Sequence, residues 1–149
     1  MMAFKIHKLS KSTARQGYRA GARRGAAALE CAIVLPFILI IMTGTLEICS
    51  GIYLKESLTI CAFEGVRVGV RRRGSADMVN DRVQEVLTER QIVNAVVTIE
   101  PADFGTLEAL DPITVTVEAP ANGNTAFNYG VMTGRTVSAS VSFVREFDE

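Results

Sequence analysis

Residues 23–46 read Arg23-Arg24-Gly25-Ala26-Ala27-Ala28-Leu29-Glu30-Cys31-Ala32-Ile33-Val34-Leu35-Pro36-Phe37-Ile38-Leu39-Ile40-Ile41-Met42-Thr43-Gly44-Thr45-Leu46. An apolar segment of about 20 residues, here with one carboxylate near its start, is long enough to cross a bilayer as a helix. Upstream of it lie seven cations, Lys5, Lys8, Lys11, Arg15, Arg19, Arg23 and Arg24, and no carboxylate. Cations flanking an apolar span stay on the cytoplasmic side, so the pattern predicts a single pass with the N-terminus inside. Small residues precede the apolar run instead of following it as a secretory cleavage site would, so the helix is expected to be retained. Any processing then falls on its cytoplasmic side, between Gly25 and Ala26.

The formal charge of the chain is zero, yet all 16 carboxylates follow Gly25. A basic leader on an acidic body describes membrane topology. Nucleic-acid binding calls instead for cations on a folded face with aromatics among them, so no nucleic-acid partner is expected. The three cysteines do not form a disulfide framework: Cys31 lies in the apolar run, and Cys49 and Cys61 are too far apart on one helix to bridge. A lipoprotein reading fails too, because Glu30 precedes Cys31 and the apolar region follows it.

Glu30 is an expensive residue near the start of a membrane helix, costing about 2.5–3.5 kcal/mol on insertion scales. Cleavage after Gly25 would create an α-amino group on Ala26, which Glu30 could meet on its own chain or on a neighbour. The alternative is a carboxylate solvated at the headgroup level.

Past the span, residues 48–70 contain no proline, and Gly51, Leu54, Leu58, Cys61, Gly65 and Val68 recur at three- and four-residue steps, which predicts that the helix continues outward. Glu30, Phe37, Gly44, Gly51, Leu58 and Gly65 also fall at steps of seven. Such a stripe of small residues lets helices approach closely. It stays on one face only with supercoiling or a bend, for which Pro36 is a candidate; the alternative is a plain anchor in which the glycines do nothing. Glu64 and Arg67 are spaced for a local ion pair worth a few tenths of a kcal/mol. Glu47, at the outer edge of the run, reads either as an interfacial stop or as a second partner-seeking carboxylate.

Arg71-Arg72-Arg73-Gly74 ends the long helix, and Ser75 is placed to cap a second one over 76–90 with Val79, Val83, Val86 and Leu87 buried. Three alternating segments follow, 93–100, 113–119 and 136–144, with Pro101, Pro112 and Pro120 at their ends, which predicts a small half-buried antiparallel sheet. The fold class expected is α+β. It comprises a leader over 1–25, a transmembrane or assembly helix over 26–47, its extension over 48–70 and a small extracytoplasmic domain over 71–149. The glycine- and asparagine-rich loop 122–134 carries Phe127, Tyr129 and Met132, either as a contact surface or as anchors onto its own domain.

Catalytic chemistry finds no footing in this pattern. His7 is the only histidine and lies in the leader; no cysteine pair has metal-ligand spacing, and Asp103, Glu108 and Asp111 match no calcium loop. No phosphate-binding glycine loop lies between a strand and a helix, and no cofactor is expected.

The ordered set of Arg24-Gly25-Ala26-Ala27-Ala28-Leu29-Glu30, Leu35-Pro36, Gly44, Glu47 and Ala62-Phe63-Glu64-Gly65-Val66-Arg67 resembles the TadE-like pseudopilins of bacterial tight-adherence (Flp pilus) secretion systems. The resemblance covers Gly25 to about Val70, weakly also 136–146, and departs from the family at Cys31, where relatives usually carry an aromatic or aliphatic residue. It implies a non-enzymatic pilus subunit cut after Gly25 by a prepilin peptidase. It further implies an inner-membrane stage at a secretion platform, then incorporation into or initiation of a thin pilus with other pilin subunits at the cell surface. The other readings are a signal-anchored envelope protein whose sheet domain binds a ligand or surface and, more weakly, a membrane-tethered enzyme using carboxylates alone.

Overall fold

The computed structural model describes residues 12–104, 110–126 and 130–145, with side chains from residue 25 onward. It divides into two compact units, Met1–Met42 and Thr43–Glu149. Helix α1, Ser12–Gly69, contributes to both and continues through Pro36. In the first unit every described side chain from Gly25 to Met42 is exposed.

The second unit holds the core. Its part of α1 buries Leu54, Leu58, Cys61, Ala62 and Val66, whose three- and four-residue spacing forms one stripe. Gly51 and Gly65 of the anticipated seam are buried with them, whereas Val68 is half-buried. Helix α2, Ala76–Glu89, starts where expected: Ser75 is in extended backbone and its hydroxyl accepts the Met78 N–H. It buries Val79, Val83, Val86 and Leu87, the four residues anticipated, and stops one residue early with Arg90 as its C-cap.

The sheet is antiparallel in the order β1-β2-β3, with β1 Val96–Glu100, β2 Pro112–Pro120 and β3 Thr136–Val144. Ile113, Val115, Val117 and Ala119 of the central strand are all buried, while Thr114 and Thr116 turn away and donate to Ser142 Oγ and Ser140 Oγ, each at 3.0 Å. The register Val115↔Val141 and Val117↔Ala139 keeps apolar residues of both strands on one face. Phe63 of α1 meets Phe143 of β3 edge-on, with ring centroids 5.5 Å apart.

The first strand is shorter than its alternation suggests, beginning at Val96 and not Val93. Gln91 and Asn94 have positive φ (57° and 56°), so the chain is still turning out of α2. Asn124 takes the backbone of Val93 in place of a neighbouring strand: Oδ1 accepts its N–H at 2.8 Å, and Nδ2 donates to its carbonyl at 2.9 Å and to Pro120 O at 2.8 Å. Arg82 of α2 bonds Glu85 on its own helix at 2.6 Å and reaches across to Glu64 of α1 at 3.4 Å, and the Glu64–Arg67 pair within α1 lies at 3.7 Å. Glu85 and then Glu64 hold the Arg82 proton more firmly than usual. These ion pairs are partly solvated and contribute little.

Candidate functional site

The feature that sets this chain apart from a soluble α+β domain is the apolar half of α1. Among the described residues it is long and apolar enough to cross a membrane, and none of its most apolar window is buried. Leu29, Ile33, Phe37, Ile40 and Ile41 are each about 60% exposed or more. Apolar side chains in that number, pointing all round a helix, need lipid or other helices to cover them.

Gly25, Ala26, Glu30 and Phe37 all lie on this exposed helix. Gly44 is half-buried and a Cβ there would meet nothing within 4 Å. The remaining members of the seven-residue stripe have a different environment. Gly51 lies beneath Met132, whose Cε a Cβ would strike; Leu58 is wholly buried; at Gly65 a Cβ would strike Val83 Cγ2 and lie 3.6 Å from Val115. The close approach that glycine permits is thus used within the chain's own domain at positions 51 and 65, and remains open at 44.

Glu47 is the second element of the site. Although it follows directly on the apolar run, it is only 4% exposed. Its Oε1 accepts the N–H groups of Gly130 at 3.1 Å and Met132 at 2.9 Å, and its Oε2 accepts that of Val131 at 3.1 Å. Three consecutive backbone amides therefore replace water around one carboxylate, the arrangement that makes a buried anion tolerable. Of the two readings of Glu47, this is the partner-seeking one, with the partner in the same chain. Met132, expected either as a contact residue or as an anchor onto its own domain, is half-buried and docked on α1 over Gly51; Phe127 and Tyr129 lie outside the described residues. Sequence marks Glu47 and the loop separately but not their pairing, because the donors are main-chain groups more than 80 positions away.

Arg145 was also missed. It is 2% exposed; its Nη1 donates to Phe104 O at 3.3 Å and its Nε has no partner among the described residues. The cysteines are all free: Cys31 and Cys49 are exposed, and Cys61 is buried, which pushes its thiol pKa up despite the opposing charge of Arg90. Among the described residues no group of His, Cys, Asp and Glu is placed to hold a metal.

No curated protein and no solved structure matches the chain significantly. Residues 25–67, which hold the exposed apolar helix, Glu47 and the seam of the folded unit, match the family model described as TadE-like protein.

Proposed function

We propose that the protein is a minor pilin or pseudopilin of a tight-adherence (Flp-type) pilus. A prepilin peptidase cuts it between Gly25 and Ala26 at the inner membrane, with the N-terminus cytoplasmic and the folded unit outside. The subunit then enters the filament by moving its apolar helix from lipid into contact with other subunits. The observation that carries this reading is the all-round exposure of α1 from Leu29 to Met42, in a segment that matches a pilus-related family.

The proposed assembly surface is Glu30, Phe37 and Gly44. Gly51, Leu58 and Gly65 act indirectly, by fastening the helix to its own domain. Glu30, exposed on the helix, is available to the amino group that cleavage creates on Ala26, and burying the two together among neighbouring helices would offset its desolvation. In the native host, Gly25→Ala should leave the protein at full length, and Glu30→Ala should be shortened normally yet be depleted from sheared pili. Normal shortening of Gly25→Ala, or wild-type levels of Glu30→Ala in pili, would contradict the assignment.

A further inference from the structure

The loop pinned by Glu47 carries a property that pilus assembly does not require. Its three amides are held at the residue that directly follows Leu46, the end of the apolar run. One turn further along, the Met132 side chain covers Gly51, so the loop is fastened to two successive turns of α1. Residues 26–46 rise roughly 30 Å as a helix, about the thickness of the hydrocarbon core. If the run spans that core, the clamped loop sits at the boundary between acyl chains and headgroups.

The chemistry of the stretch suits that depth. Residues 121–134 contain no charged side chain in a chain that is 21% charged, and the first charge after them is the cation Arg135. Val131, between the other two clamped amides, keeps its side chain 44% exposed, and Leu46 and Ile48, flanking Glu47 on the helix, are 45% and 49% exposed. Tyr53, about 10 Å further out by helical rise, is exposed as well, and tyrosine favours the interfacial belt. An ionised carboxylate at this level needs donors that do not require water, and the three amides are such donors.

We propose that the Gly130–Met132 loop is a membrane-surface contact: clamped by Glu47, it seats Val131 in the interfacial region of the phospholipid leaflet on the domain's side and sets the depth of the folded unit. This inference rests on the membrane-spanning reading of α1. Glu47 is the positioning residue, and the lipid interface is the ligand.

The chain contains no tryptophan, so a single introduced one reports without background. Full-length Val131→Trp and, separately, Ile38→Trp are placed in phosphatidylcholine vesicles with bromine on the acyl chains, near the carbonyl end or near the bilayer centre. The expected result is loss of Val131→Trp emission with the shallow bromines and shielding from aqueous iodide, both reversed when Glu47→Gln is added. Ile38→Trp should be quenched by the deep bromines. Quenching of Ile38→Trp while Val131→Trp stays unquenched and open to iodide would overturn the loop inference alone. Failure to quench Ile38→Trp would overturn the spanning reading and this inference with it.

Discussion

Glu47→Gln is the sharpest perturbation available, because it changes one atom of a nearly buried side chain and no shape. In the wild-type protein both oxygens accept, Oε1 from Gly130 and Met132 and Oε2 from Val131. Glutamine can keep one of the two sides. If its carbonyl takes the place of Oε1, the Gly130 and Met132 bonds survive without their ionic character, and the amide NH2 faces the Val131 N–H, donor against donor. Hydrogen bonds to a charged group are worth about 1.5–3 kcal/mol and neutral ones about 0.5–1.5 kcal/mol. Losing the charge from two bonds and the third bond outright should therefore cost the docked loop about 3.5–6 kcal/mol, capped by the energy at which the loop lifts off and its amides hydrate. The readout is hydrogen exchange at the amides of residues 130–132, where each 1.4 kcal/mol is a factor of ten, so exchange should accelerate by roughly 300- to 20,000-fold, or to that cap if it is reached first. Amides in α2 and β2, remote from the clamp, should be unaffected. Unchanged exchange at 130–132 in the variant, or unprotected amides there in the wild type, would rule out a clamp at Glu47.

The two kinds of glycine should separate on substitution. Gly65→Ala gains up to about 1 kcal/mol of helix propensity but forces Val83 aside, an overpacking cost of about 1–3 kcal/mol, and should lower the urea midpoint of the folded unit. Gly44→Ala meets open space and should leave that midpoint unchanged or slightly raised while reducing recovery in pili; the opposite ordering in urea would show the packing is misread. In detergent near pH 7, a maleimide should label Cys31 and Cys49 and spare Cys61 until the domain is unfolded. Burial raises the Cys61 pKa above its usual 9.0, so the thiol's contribution to stability is complete below the unfolded value and is lost as the pH rises through the folded one. Labelling of folded Cys61 at neutral pH would contradict its burial.

Much of the fold is written in local periodicity. Ser75 and the spacing of Val79, Val83, Val86 and Leu87 suffice for α2, and the alternation of 136–144 yields β3 residue for residue, because one face of each is simply apolar. The first strand is harder, since what ends it is Asn124 binding the backbone of Val93, a tertiary event with no local trace. The seven-residue stripe shows another limit. Small residues at that spacing signal a close neighbour without saying whose it is, and positions 51 and 65 turn out to face this chain's own Met132 and Val83. Glu47 was visible as an anomaly, but its partners are main-chain amides, which have no residue identity to read.

Whether the segment matching the TadE-like family works as a processed assembly helix is decided by the intact mass and N-terminal sequence of the protein recovered from its native membranes. The chain should begin at Ala26. A chain that still carries the residues before Gly25 would contradict that role and describe a permanent anchor whose folded unit acts without polymerising.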